Sequence, residues 1–326
     1  MSKSFRTEIS LTPPKKQISL KDKILTIGSC FSDNIGNLLH RYKFDTLVNP
    51  FGVIFNPISS LHLLQHAYMG QTLSHEKIIH NQGMFYHYDL HSEITSAEKD
   101  SLKSLIDKKI QETGEFLHKT DVLALTFGTA FVYRLLENKE VVANCHKMPA
   151  RYFHKELLTP EQIILAFNEL HKKLSPETTI ILTISPIRHI KDTLPLNSVS
   201  KSVLRLACHH LSESHPNVFY FPAYEMMMDD LRDYRFYEAD MLHPNDTAIN
   251  YIWEHFSNLC INDKGNRFMH KWDKILKAIE HRPFHPYSEE HRHFLMNTLD
   301  KLKTINEADV SKEITMLEER LQLFSV

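Results

Sequence analysis

Glycine is scarce in this chain, at eight residues in 326. A rare glycine more often marks a backbone requirement than a filler, and Gly28, Gly36, Gly52 and Gly128 all fall at or near expected strand ends. Charge of one sign is missing as well. The 38 Lys and Arg nearly balance the 40 Asp and Glu, for a formal net charge of −2, which removes the electrostatic case for nucleic acid or an anionic membrane. No apolar run approaches the roughly 18 residues of a membrane span. The opening stretch Met1–Glu8 lacks the apolar core of a signal peptide. The four cysteines, at 30, 145, 208 and 260, form no CxxC pattern, so reduced thiols and a cytoplasmic location are expected. With 42% hydrophobic and 24% charged residues, the composition is that of a globular protein.

Histidine is what the chain has in plenty, at 22 residues, so metal sites must be weighed. His62 and His66 stand i,i+4 on an expected helix, without the acid that HExxH places between them. His87 and His91 share that spacing in a stretch that reads as strand. His281, His285, His291 and His293 lie in a polar C-terminal segment. The default is solvated or hydrogen-bonded histidine, and neither metal nor cofactor is assigned.

Short apolar β-rich runs recur, each ending in Gly, Pro or a polar cluster: Ile24–Ile27 before Gly28, Phe44–Val48 before Asn49-Pro50-Phe51-Gly52, Asp121–Thr126 before Gly128, Thr179–Ile184 before Ser185-Pro186-Ile187-Arg188-His189, and Asn217–Phe221 before Pro222. Helical patterns separate them, at Ser32–Leu39, Pro57–Tyr68, Glu98–Leu117, Pro160–Leu174, Ser200–Leu211 and Asn245–Leu259. Such alternation predicts a parallel sheet covered on both faces. Ligands bind outside the carboxyl ends of such strands, so Ser29, Gly52, Gly128, Arg188 and His243 should converge on one rim. Residues 1–22 read as a polar arm over the surface. A strand pair around Asn81-Gln82-Gly83 with the helix behind it forms an insertion at about 70–117, and Phe131–Leu136 with Val141-Val142 forms a projecting hairpin. Past residue 262 the chain reads as helical, with one stripe of Phe268, Trp272, Ile275 and Ile279 and another of Val310, Ile314, Leu317, Leu321 and Phe324. These helices are expected to pack on the core, with a homodimer contact as the sharper alternative.

Two motifs carry chemistry. Ser29, just after the first strand, offers a hydroxyl at a helix start, where the dipole favours negative charge. In Asp240-Met241-Leu242-His243 a carboxylate three residues before a histidine can hold the imidazole from behind. Nucleophile, base and orienter make a serine hydrolase triad. Each part has a plainer reading: Ser29 as a helix cap, the Asp–His segment as the start of the last core helix. Cys30 is an alternative nucleophile. Arg188 and His189 leave the fourth strand toward the rim, where Arg188 can bind a substrate carboxylate or phosphate, or a structural carboxylate such as Glu225 or Asp233. His146 and Lys147 are candidate pocket residues. Tyr224, Tyr234 and Tyr237 suit either a sugar-stacking wall or the core.

Ile27-Gly28-Ser29-Cys30-Phe31-Ser32 resembles the signature of the GSCFA family, with Ser32 where the name has Ala. Asn49–Pro57, Leu125–Ala130, Asn144-Cys145-His146-Lys147, Ser185–His189, Tyr220–Glu225, Asp233–Tyr237 and Asp240–Pro244 look like its further blocks, in order, over about residues 20–260. That family is in turn similar to the SGNH (GDSL-like) hydrolases. The resemblance implies a flavodoxin-like three-layer α/β/α domain over residues 1–262, with a five-stranded parallel sheet and the insertion, and a helical extension over 263–326. It implies acyl-ester hydrolysis or acyl transfer by Ser29, Asp240 and His243, on a small-molecule or glycan ester. By block order, Gly52 would lend an oxyanion-hole N–H beside that of Ser29, with a role in its turn alone as the equal alternative. The third block departs from the pattern: Ala130 stands where the asparagine donor belongs, and Asn144 is the candidate substitute. That departure keeps open a second class, a non-catalytic binding or assembly protein on the same fold.

Overall fold

The computed structural model describes residues 9–324; the first eight residues of the expected surface arm lie outside it. The chain runs β1 (Lys23–Gly28), α1 (Cys30–Arg41), β2 (Asp45–Val48) and α2 (Pro57–Met69), then the inserted pair β3 (Ile78–Asn81) and β4 (Met84–His87) and α3 (Lys99–Leu117). β5 (Val122–Phe127) returns to the core and is followed by β6 (Phe131–Leu135), β7 (Val141–Val142) and β8 (Phe153–Leu157). Next come α4 (Pro160–His171), β9 (Thr179–Ile184), α5 (Leu194–Ser214), β10 (Val218–Phe221) and the single turn α6 (Ala223–Glu225), which widens into a π-turn. The chain closes with α7 (Asp246–Cys260), α8 (Asp263–Glu280), α9 (Glu289–Lys303) and α10 (Ser311–Gln322).

The central sheet has the order β10-β9-β5-β1-β2, parallel at every pairing. Counting only core strands, this is the 2-1-3-4-5 order of the flavodoxin-type doubly wound sheet, which reverses direction between its first and third strands. Here that switch point lies between β1 and β5. Alternation along the strands divides two cores. Leu25, Ile27, Leu123, Leu125, Ile180 and Leu182 face α2, α3, α4 and α5. Ile24, Val122, Ala124 and Ile181 face α1 and α7, through Phe31, Ile35, Leu39, Ile252, Trp253 and Phe256. Every residue of β5 and β9 is buried, as parallel strands with helices on both faces require.

Helix starts follow local chemistry. Thr159 and Gln162 form a capping box ahead of α4, with Pro160 at its first turn. Asn56, Asn245 and Asn262 cap α2, α7 and α8 with side-chain oxygens. The turn at Gln82-Gly83 has φ of 51° and 80°, the left-handed pair that a two-residue hairpin demands.

β8 and the apolar stripe of α9 lay beyond the sequence reading. β8 pairs with β6 and turns the expected hairpin into a three-stranded sheet, order β7-β6-β8. α9 supplies Leu295, Leu299 and Leu302 to a separate small core with Phe268, Trp272, Ile275 and Leu317. The two C-terminal stripes therefore bury each other. Trp272 Nε1 donates to Arg41 O at 2.8 Å, and Lys43 pairs with Glu313 at 2.7 Å, fastening this unit to the end of α1. Among the described residues, no helix is long and apolar enough to cross a membrane.

Candidate active site

The rim is built from the end of β1 outward. Gly28 has φ of 146°, and a Cβ there would collide with the Thr126 carbonyl of β5, so this switch-point crossing needs glycine. Ser29 follows as the N-cap of α1. It is fully buried, its N–H donates to Thr126 O at 3.2 Å, and its Oγ accepts from Phe31 N–H at 3.3 Å. The loop after β2 folds over the same crossing. Gly28 N–H donates to Asn49 Oδ1 at 2.8 Å, Asn49 Nδ2 donates to Asp33 Oδ1 at 2.6 Å, and Ile54 N–H donates to Gly28 O at 2.8 Å.

Asp240 and His243 form the expected pair. His243 Nδ1 meets Asp240 Oδ2 at 2.6 Å. Asp240 Oδ1 accepts the backbone N–H groups of Leu242 at 2.8 Å and His243 at 3.0 Å. Met241 takes φ of 59° to close the turn. The backbone N–H of His243, then its ring, then Leu242 N–H hold the Asp240 carboxyl down at about 2, as charge-assisted hydrogen bonds do. The ring Nε2 has no partner among the described residues, and both side chains are nearly half exposed. His243 lies two residues before Asn245, the cap of α7. Since α1 and α7 share one sheet face and both begin at the carboxyl edge, Ser29 and the pair stand on the same rim. The structure does not bring Ser29 Oγ into hydrogen-bond contact with His243.

Two other elements close on this rim. The backbone of Arg188 donates to Leu242 O at 3.4 Å, tying the loop after β9 to the histidine turn. The Arg188 guanidinium packs 4.2 Å from the Tyr237 ring and 5.3 Å from that of Tyr234. Neither carboxylate expected as a structural partner reaches it: Glu225 is bound by Arg205 and Tyr220, and Asp233 caps its own turn at Arg235 N–H. His189 sits edge-on to Phe55 at 5.3 Å, and its Nε2 lies 3.3 Å from where a Gly128 Cβ would stand. That Nε2 is buried without a hydrogen-bond partner. Burial, then Lys201 and His243, push the His189 pKa down to about 3, so the ring is neutral. Behind it, Lys201 of α5 is buried and donates to Gly128 O and Ser185 O, each at 2.7 Å.

The expected oxyanion donors are engaged elsewhere. Gly52 N–H closes its own turn onto Asn49 O at 2.8 Å, and a Cβ at Gly52 would strike His91, so the turn accounts for this glycine. The N–H groups of Gly128 and Thr129 both donate to Phe55 O, at 2.7 and 3.0 Å, and Ala130 N–H donates to Ser200 Oγ at 2.7 Å. Asn144 lends its amide to Ser92 at 3.1 Å and its Oδ1 to His146 N–H at 2.8 Å. His146, in the loop after β7, is buried against the insertion, with Nε2 on His87 O at 2.9 Å and its ring stacked on Tyr86, so it ties that loop to the insertion. Lys147 is exposed. Burial, with Asp33 nearby, pushes the Cys30 thiol up, which disfavours the thiolate a cysteine nucleophile needs. Lys201 and Ser200 escaped notice in the sequence because their roles depend on contacts across the sheet. No motif marks a lysine that caps two strand ends.

The fold and the rim define an α/β protein of the doubly wound class whose site lies at a switch point. Residues 23–256 match the GSCFA family, and residues 272–323 match the GSCFA domain protein, C-terminal domain. The chain belongs to the GSCFA family. No curated protein matches it.

Proposed function

We propose that this chain is a serine-nucleophile acyl-ester hydrolase or acyltransferase, with Ser29 as nucleophile, His243 as base and Asp240 as the group that orients the base. The likeness to the SGNH hydrolases belongs to this reading. The observation that carries it is the 2.6 Å contact between His243 Nδ1 and Asp240. It fixes the proton on Nδ1 and leaves a bare Nε2 on the rim that holds Ser29, which is the tautomer a general base needs.

In the reaction, Ser29 Oγ bonds to the acyl carbon as Nε2 takes its proton. The tetrahedral intermediate collapses, and the leaving alkoxide takes that proton from the imidazolium. Water or an acceptor hydroxyl then repeats the sequence on the acyl-enzyme. To attack, Ser29 must release the Phe31 N–H, a cap worth about 0.5–2 kcal/mol. That is small against the roughly 8–23 kcal/mol by which enzymes lower barriers. With Gly52 and Asn144 engaged, His189 is the best candidate oxyanion donor: its Nε2 is neutral, buried, unpartnered and beside the third-block glycine. Arg188, free of carboxylate partners among the described residues, suits an anionic group on an O-acylated carbohydrate or similar polar metabolite.

A second reading keeps its footing on a specific observation. Ser29 is buried and its hydroxyl serves as a helix cap, as in a binding or assembly protein without catalysis. A fluorophosphonate probe separates the two. Labelling of the wild type that vanishes in Ser29→Ala supports the enzyme. Failure to label, together with no turnover of p-nitrophenyl acyl esters with or without alcohol acceptors, supports the binding protein.

A further inference from the structure

The pair His62 and His66 lies on α2, outside the rim described above. The two Nε2 atoms are 3.0 Å apart, with ring centroids at 4.3 Å and planes tilted by 59°. Two nitrogens that each sit about 2.0–2.1 Å from one ion are about 2.9 Å apart at a right angle and about 3.4 Å apart at the tetrahedral angle. The observed separation falls between these limits. One helical turn therefore presents two imidazoles at a chelating spacing.

The surroundings favour the same occupant. His66 Nδ1 lies 3.2 Å from the Gln71 carbonyl. A carbonyl only accepts, so Nδ1 carries the proton and Nε2 is bare. Metal-bound histidines are held in this way by a second-sphere carbonyl. Lys77, Asp89 and Glu140 all lie close enough to act on His62. They are mutually paired, Lys77 Nζ meeting Asp89 at 3.0 Å and Glu140 at 2.7 Å. One cation against two carboxylates leaves one negative charge beside the imidazoles. Another close histidine pair differs. His171 and His215 have centroids 4.1 Å apart, but their Nε2 atoms are taken by Asn217 and Asn168.

We propose that His62 and His66 chelate a divalent first-row transition metal, such as Zn²⁺, across one turn of α2. No group of three or more His, Cys, Asp or Glu gathers to hold an ion among the described residues, so water fills the remaining positions. Without metal, His62 Nε2–H donates to His66 Nε2. On binding, that proton moves to His62 Nδ1 and both Nε2 lone pairs turn to the ion, with no net proton released. Asp89 of the insertion and Glu140 of the β6–β7 turn both act on His62, so the ion strengthens the junction of α2 with these two elements.

Calorimetric titration of the metal-free protein with Zn²⁺, and separately with Ni²⁺, tests this. A saturable one-to-one site is expected, with a Tm that climbs as Zn²⁺ is added. His62→Gln and His66→Gln should each weaken binding by more than about tenfold, because even second-sphere groups at metal sites are worth about 10–100-fold. Glu140→Gln should weaken it less, and His171→Gln not at all. Circular dichroism establishes that each variant is folded, and His66→Gln serves if His62→Gln is not. The absence of a saturable site in the wild type, or binding in both histidine variants as tight as in the wild type, would overturn the proposal and leave the pair a simple N–H···N hydrogen bond.

Discussion

Lys201 is a fully buried amine with no acid beside it among the described residues, and its substitution gives the sharpest test of how the rim is held. Its Nζ donates to Gly128 O and Ser185 O at 2.7 Å each, joining the ends of β5 and β9 behind His189. A neutral amine has two N–H groups and needs only those two acceptors. A protonated amine has a third N–H and a charge, both desolvated. Burial accordingly lowers the Lys201 pKa from 10.5 to about 7. The sign is that of a depressed base. Between about pH 7 and 10.5 the unfolded chain keeps the proton and the folded chain does not, so stability rises with pH at about 1.4 kcal/mol per unit. Below that window both states are protonated and the cost is at its full size; above it the cost is gone. The whole window is worth about 5 kcal/mol. Lys201→Met removes the titration and leaves two carbonyls unsatisfied, at about 1–3 kcal/mol each. Urea unfolding of both proteins from pH 6 to 10 isolates the effect, because other titrating groups cancel in the difference. The difference should be flat below about pH 7, and the wild type should gain on the variant steadily above it. A difference that stays flat with pH would show that Lys201 does not titrate in this window, and the account of the buried amine would be wrong.

Three further outcomes follow from the rim. Asp240→Asn should cut ester turnover by about 10³–10⁴-fold in a folded protein, as loss of the orienting carboxylate does in other triads; because Asp240 is held at about 2, any acid limb in the wild-type pH–rate profile above about pH 4 must come from another group. His189→Ala should lower kcat by about 10²-fold or more with little change in KM, the pattern of a donor used only in the transition state, and an unchanged kcat would remove His189 from the oxyanion hole. Arg188→Ala should raise KM by about ten- to a hundredfold for esters bearing a carboxylate or phosphate, on the scale of one charged hydrogen bond, while neutral esters are unaffected; equal losses on both would make Arg188 a structural partner of Tyr237.

The core strands were legible because parallel strands buried on both faces are continuous apolar runs with abrupt ends. Thr179–Ile184 falls where it was expected, and the other four sheet strands shift by only a residue or two at their ends. β8 was missed because Phe153-His154-Lys155-Glu156-Leu157 is polar on its exposed side and has no turn signal of its own. α9 falls within the expected helical extension, but its apolar stripe was missed because Glu289–Lys303 is rich in His, Glu and Lys, and its few leucines are buried only against α8 and α10. The same distinction governs the site. Asp240 and His243 lie three residues apart, so one turn decides their contact and the sequence displays it. Whether a glycine N–H or an asparagine amide is free depends on what else reaches it. Phe55 O takes two N–H groups of the third block, and Asn49 O takes that of Gly52. Ser29 is the hardest case. Its place after β1 and its cap to Phe31 are local, but its burial depends on packing, with a loop from beyond β2 folded onto Gly28. A motif can name the atoms of a triad, because their identities are local. The distance between Ser29 and His243 belongs to the packing of two loops more than two hundred residues apart, so chemistry at this rim requires the exposed histidine turn to meet a serine that the second loop keeps covered.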